Sequence, residues 1–293
     1  MRNIIVGVDG STASERALDR AFLEAEKTGQ AVRVVSAWTN PALGMGLAYG
    51  APMPSNAERQ TASQDLLEEH IAKAHSRRDA STPIEVTSEV IEGDPARTLT
   101  RLSRQAGTVI IGADGHGQLT SGLLGSVTTY VIHHSACPVI VVPRDAPVGE
   151  PTRVVVALDG SDSSRIAFQW ALREATIWER PLIAVHAWRI HTPRVPLPYA
   201  SLPTGSSYEQ EARDWLDDEV AECLAADRTA VVRETRYGDP AGVLLDATGP
   251  DDLLVLGSRG RGGFASLVLG SVATQCATHA RGSVVIVKDV PSS

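Results

Sequence analysis

Residues 4–11 read IIVGVDGS, and residues 154–161 read VVVALDGS. In each, a short apolar run without polar alternation ends at Asp-Gly-Ser, the pattern of a strand buried on both faces. The likeness extends outward from there. SAW at 36–38 returns as HAW at 186–188, 150 positions on. GDPA at 93–96 returns at 238–241, VIIGADG at 109–115 as LVLGSRG at 254–260, and LLGSV at 123–127 as VLGSV at 268–272, each 145 positions on. The chain reads as two copies of one unit, the second shorter by five residues between 188 and 238.

With 293 residues, each copy has the length of an ordinary domain. PRDAPVGEPT at 143–152, rich in Pro and charge, marks the join, so the expected domains are 1–144 and 152–290. In the first copy, strands are expected at 4–8, 31–38, 83–91, 108–113 and 138–143. Helices are expected from Ser11 to Lys27, from Ser63 to about Ala80, over 95–105 and over Ser126 to His134. Ala17, Leu18, Ala21, Phe22 and Ala25 form the apolar face of the first helix, which Gly29 ends. Strands alternating with helices predict an α/β fold of two tandem doubly wound domains, each a five-stranded parallel sheet flanked by helices.

Composition narrows the function. The chain carries 27 Lys and Arg against 35 Asp and Glu, a net charge of −8. The first 146 residues hold 13 basic against 16 acidic residues and the remainder 14 against 19, so neither half is a basic arm. Phosphate-backbone contacts need the opposite balance, which argues against direct nucleic-acid binding. Cys137, Cys223 and Cys276 are too far apart for a metal site or a disulfide framework and read as structural. No run approaches a membrane span, and MRNIIVGVDGS is a first strand rather than a secretory signal, so a cytoplasmic protein is expected.

Open parallel sheets bind ligands beyond the carboxyl ends of their strands, where strand order reverses. After the fourth strand comes GADGHGQLTSGLLGSV at 112–127, matched by GSRGRGGFASLVLGSV at 257–272. Both read Gly, two residues, Gly, nine residues, Gly-Ser. Glycines let backbone N–H groups approach a ligand, and Gly125-Ser126 and Gly270-Ser271 precede helical segments whose N-termini attract anions. Ser126 and Ser271 are candidate N-caps or phosphate ligands. Neither the G-x-x-x-x-G-K-[ST] loop nor a G-x-G-x-x-G after the first strand is present.

These repeated motifs resemble the universal stress protein family in its tandem two-domain form, over nearly the whole chain. The resemblance implies a Rossmann-like, adenine nucleotide alpha hydrolase-like fold, with ATP bound in each copy, accompanied by Mg²⁺. It implicates Gly7, Asp9, Ala37, Gly112, Asp114, Gly115, Gly117, Gly125, Ser126 and Val127 in the first copy. In the second it implicates Ala157, Asp159, Ala187, Gly257, Ser258, Arg259, Gly260, Arg261, Gly262, Gly270, Ser271 and Val272. Asp9 and Asp159 are the positions at which a metal would be reached through Mg-ATP. An adenine-nucleotide-dependent regulator of stress response or growth is expected, with an unidentified regulatory protein partner and a homodimeric state. A slow ATPase or phosphotransferase using the same pockets, or a nucleotide-free scaffold, are the alternatives. No catalytic residue is identified, because the glycine loops hold no Lys and no paired carboxylates are placed for two-metal chemistry.

The copies differ in charge. Arg259 and Arg261 suit a triphosphate, while Asp114 and His116 stand at the matching positions of the first copy. Weaker or metal-dependent nucleotide binding is expected there, unless the Asp114 side chain points away. His133 and His134 read as helix-end residues and His186 as a core or crevice-lining residue. Trp38 and Trp188 either wall the base or pack. The Pro-rich stretches 41–54 and 193–203 are candidate lids. PVIVVP at 138–143 and SVVIVK at 283–288 are apolar edge candidates that would pair the two copies.

Overall fold

The computed structural model describes residues 3–39, 56–78, 82–115, 123–189, 205–261 and 269–288. It divides at Glu150/Pro151 into two compact units.

The first unit runs β1 (Ile4–Gly7), α1 (Thr12–Thr28), β2 (Val32–Trp38), α2 (Asn56–Ser76), β3 (Val86–Glu92), α3 (Pro95–Ser103), β4 (Thr108–Gly112), α4 (Ser126–His134), β5 (Val139–Val142). Its strands are ordered β3-β2-β1-β4-β5, all parallel, with Ile4 opposite Val32 and Thr108, and Val109 opposite Val139. Strand order therefore reverses between β1 and β4. Helix α1 packs on β1, β4 and β5 and touches α2, while α3 packs on β1, β2 and β4 and touches α4. Ile4, Leu18, Phe22, Ile110, Ile132 and Ile140 are fully buried between the layers.

The second unit repeats this with β6 (Val154–Ala157), α5 (Asp162–Trp178), β7 (Leu182–Trp188), α6 (Gly205–Leu224), β8 (Val231–Tyr237), α7 (Pro240–Ala247), β9 (Leu253–Gly257), α8 (Ser271–His279), β10 (Val284–Val287). Its sheet is again parallel, ordered β8-β7-β6-β9-β10, and reverses between β6 and β9. Phe168, Trp178, Leu158 and Leu182 fill its core, with the Trp178 indole N–H donating to Glu174 at 3.1 Å.

The caps explain where helices begin. Ser11 and Ser161 accept the N–H of Ser14 and Ser164, opening α1 and α5. In both GDPA motifs the Asp side chain caps the next helix and Pro is its first residue: Asp94 accepts from Arg97 N–H at 2.8 Å and Asp239 from Gly242 N–H at 3.3 Å. Two elements depart from the sequence reading: β3 begins at Val86 rather than 83, and α2 spans Asn56–Ser76 rather than 63–80. The early turns of α2 carry few apolar residues, so periodicity could not mark the start.

Candidate functional site

The turn after β1 is built by its own aspartate. Asp9 Oδ1 accepts the Ser11 N–H at 2.9 Å and the Ser11 hydroxyl at 2.6 Å. The Asp9 N–H donates to Ser14 Oγ at 3.3 Å, whose hydroxyl donates to Ser11 O at 2.9 Å. The second copy repeats the arrangement with Asp159, Ser161 and Ser164.

The same aspartates reach across to the glycine loop. Asp159 Oδ2 accepts the Arg261 N–H at 3.0 Å. A Cβ on Gly260 would lie 2.6 Å from Asp159 Oδ2, and one on Gly115 would lie 2.7 Å from Asp9 Oδ2. Only a residue without a side chain lets the carboxylate latch the loop. Burial pushes the Asp159 carboxyl up, but hydrogen bonds from Ser161, Arg261 and Ser164 outweigh it and hold the group below its ordinary range. The stabilisation this gives is complete above the unfolded value of about 3.9 and is lost as pH falls through the native value. Acid denaturation followed by circular dichroism should therefore show a shallower loss of stability below pH about 4 in Asp159→Asn than in the parent chain. Identical acid limbs would contradict the latch.

Each loop closes at a neck. Gly125 N–H donates to Ala113 O and Gly270 N–H to Ser258 O, both at 2.8 Å. Gly125 and Gly270 are the N-caps of α4 and α8, with φ −60, ψ 149 and φ −74, ψ 151, and no side chain caps either helix. This corrects the N-cap reading of Ser126 and Ser271. They are the first helical residues, and a residue with helical backbone angles cannot take the extended conformation of a capping residue. Both helix N-termini are thus left without a side-chain cap.

In the first unit the reversal point holds a cavity of about 220 Å³. Gly7, Asp9, Ala37, Gly112, Asp114, Gly115, Gly125, Ser126 and Val127 line it, as the sequence reading placed them. Gly117 and Gly262 lie outside the described residues, as do His116 and both candidate lid stretches. In the second unit Ala157, Asp159, Ala187, Gly257, Ser258, Arg259, Gly260, Arg261, Gly270, Ser271 and Val272 occupy the corresponding strand ends, loop and helix start.

Several lining residues escaped the sequence reading: Val8, Ser14, Val35, Pro95, Leu99, Ile111 and Thr128. Two carried a signal. Ser14 recurs as Ser164, five residues after each turn aspartate, and Pro95 belongs to the repeated GDPA. Thr128 ties α4 to the end of β4 by donating to Gly112 O at 2.7 Å.

Asp114 neither points away nor stands alone. Its Oδ2 meets Arg144 Nη2 at 2.5 Å, a partner from beyond β5 that no motif announced. His186 Nδ1 lies 2.8 Å from Leu158 O, so the ring donates there, and its centroid lies 4.2 Å from that of Trp215 with the rings tilted by 40°. Burial, chiefly, lowers its pKa, leaving the imidazole neutral at pH 7. Trp188 packs edge-on against Tyr237 at 5.1 Å. His134 lies at the end of α4, its ring stacked on Tyr130 and Nδ1 at 2.9 Å from Tyr130 O. All three cysteines are buried, and burial pushes the Cys223 thiol up to about 11 and the Cys276 thiol up to about 12. Among the described residues no three His, Cys, Asp or Glu side chains converge as a metal cage, and no helix is long and apolar enough to cross a membrane.

Comparison with known proteins agrees with this architecture. The model of the universal stress protein family matches residues 1–143 and again 151–288. Universal stress protein MT2052 of Mycobacterium tuberculosis is 31% identical, covering 97% of this chain and 94% of the relative. A universal stress protein of Mycolicibacterium smegmatis is 30% identical, covering 97% and 96%. Among solved structures, a universal stress protein from Archaeoglobus fulgidus superposes with a TM-score of 0.66 at 18% identity, covering 98% of each chain, a likeness of fold. The repeated turn, loop and sheet order, together with a family match to each half, place this chain in the universal stress protein family, with two tandem domains.

Proposed function

We propose that each domain binds an adenine nucleotide, with ATP as the principal ligand, and that occupancy makes the chain an adenylate-responsive regulator. The observation that carries this reading is the cavity at the β1/β4 reversal. Its apolar wall of Val35, Pro95, Leu99 and Ile111 suits a flat base. Its other end is the uncapped N-terminus of α4, where backbone donors and the helix dipole suit phosphate. Asp9 and Asp159 spend most of their hydrogen-bonding capacity on the serine turn and the loop, so Mg²⁺ is read as arriving with the nucleotide rather than being held by a protein cage. The same reading has the chain working in the cytoplasm as a homodimer that passes occupancy to a regulatory protein partner.

Heat-denaturing the purified full chain and identifying the released small molecule by mass spectrometry, followed by calorimetric titration of the emptied protein, tests this. Release of ATP or ADP and uptake of two ATP per chain are the expected results. Absence of any released adenine compound, with no heat from ATP, ADP or AMP with or without Mg²⁺, would overturn it.

A further inference from the structure

A second cavity, of about 370 Å³, opens in the second unit between α6 and β8, away from the crevice residues. Arg213, Leu216 and Asp217 reach it from the helix, and Arg233, Glu234, Thr235 and Arg236 from the strand. Leu216 is buried, while the Arg213, Arg233 and Arg236 side chains are 57%, 37% and 40% exposed. Each arginine meets one carboxylate: Arg213 that of Glu209, Arg233 that of Asp217 at 3.1 Å, and Arg236 that of Glu234 at 2.6 Å. Glu209 and Asp217 are themselves 46% and 64% exposed, and ion pairs so open to water hold weakly. A guanidinium has five N–H donors, and the contacts of each arginine here engage no more than two of its nitrogens. The groove therefore offers unspent donors in planar forks, the geometry that matches a phosphoryl group.

The first unit builds the same corner without arginine. The buried Leu67 matches Leu216, and the repeated GDPA aligns β3 with β8, so Gln64, Glu68, Ser88 and Ile91 stand where Arg213, Asp217, Arg233 and Arg236 do. There Gln64 Nε2 donates to Ser88 Oγ at 3.2 Å and to Glu68 at 3.0 Å, tying helix to strand directly. Three arginines around one groove are thus a feature the repeat does not account for. The strand adds a second feature, because β8 is the last strand of its sheet among the described residues. Gly238 N–H donates to Trp188 O at 3.1 Å, and in a parallel pair alternate residues bond to the neighbour. Arg233, Thr235 and Tyr237 therefore turn their backbone N–H and C=O groups to the free edge, where Arg233 Nη1 donates to Val231 O at 3.2 Å. Charges on an edge strand ordinarily discourage pairing with another strand. Guanidinium groups beside free ladder positions admit one kind of strand, an extended segment that carries the opposite charge.

We propose that the α6/β8 groove of the second domain binds a phosphorylated, extended segment of a partner protein. The segment adds as a strand along β8, and its phosphoserine or phosphothreonine dianion takes the forks of Arg213 and Arg233 in place of Glu209 and Asp217. Thr235 supplies a backbone donor and acceptor between them at the free edge. Nucleotide occupancy is not required, because no crevice residue takes part.

The test uses the full chain and a capped, fluorescein-labelled heptapeptide of Thr and Val with phosphoserine at its centre, read by fluorescence anisotropy at fixed ionic strength. It should bind at least about tenfold tighter than the same peptide with unmodified serine, the equivalent of one charge-assisted hydrogen bond. Arg213→Gln and Arg233→Gln should each weaken the phosphopeptide about tenfold. Arg228→Gln, at an exposed position that does not line the groove, should leave it within about twofold. Asp217→Asn should tighten it about threefold, by removing the carboxylate that competes for Arg233. Placing Pro on both sides of the phosphoserine should cost about tenfold, because Pro supplies no ladder N–H. All the substituted side chains are exposed, so circular dichroism should show the fold unchanged in every variant. Equal binding of the phosphorylated and unmodified peptides, or indifference to both groove arginines, would overturn the site. Inorganic phosphate that displaces the labelled peptide at the peptide's own concentration, with no cost from the flanking Pro residues, would make free phosphate the ligand and overturn the partner segment.

Discussion

Gly112→Ala should cost the first domain about 3 kcal/mol of stability, the upper end of what overpacking a close-packed site costs. A Cβ at Gly112 would lie 2.7 Å from the carbonyl carbon and Cβ of Ala13 and 2.9 Å from Ser14 N. Those atoms belong to the first turn of α1, which the Ser11 cap and the Asp9 turn hold in place, so the neighbour cannot swing aside. Gly257→Ala should do the same in the second domain, where Ser163 C, O and Oγ all stand 2.7 Å from the added carbon. Gly125→Ala is the control. Its Cβ meets nothing closer than 3.4 Å, and its φ of −60 suits any residue. Because a domain of this size is stable by only about 5–15 kcal/mol, urea titration with circular dichroism resolves the difference readily. Midpoints for Gly112→Ala and Gly125→Ala that coincide would contradict the packing account. The first glycine of the motif, read from sequence as a ligand contact, is thus also the residue that lets a helix dock on its strand.

Gly125→Trp and Gly270→Trp should each remove one nucleotide site and leave the fold in place. Both glycines stand at the loop neck with extended backbone angles, and Gly125 lines the cavity itself. Around Gly270 the nearest atoms to an added Cβ are 3.6 Å away, so the backbone tolerates a side chain that the crevice does not. An indole there competes for the space between the loop and the uncapped helix. Expected is a loss of about 100-fold or more in ATP affinity at the altered copy, equivalent to about 2.7 kcal/mol. Calorimetric stoichiometry should fall from two to one in each single variant and to zero in the double. Two full equivalents in the double variant would place the nucleotide elsewhere.

The repeat, the alternation of strands and helices and the glycine spacing were all legible in the residues. Each is a local pattern: apolar runs report strands, a 3.6-residue period reports α1, and Asp-Gly-Ser or Gly-Asp-Pro reports a turn and a cap. The candidate residues of the crevice followed because they cluster at strand ends, which a linear reading can mark. Sheet order was another matter. That β1 lies between β2 and β4, and so sets the crevice against the starts of α1 and α4, comes from pairing across a hundred residues. Strand pairing leaves no trace in the local period, because any of these apolar strands would fit any neighbour. The same limit hid the partner of Asp114, whose charge was readable but whose Arg144 arrives from the far end of β5. It hid the latch between Asp159 and Arg261. Local chemistry named the parts of the site. Which part faces which was decided only when long-range packing brought turn, loop and helix end within hydrogen-bond distance.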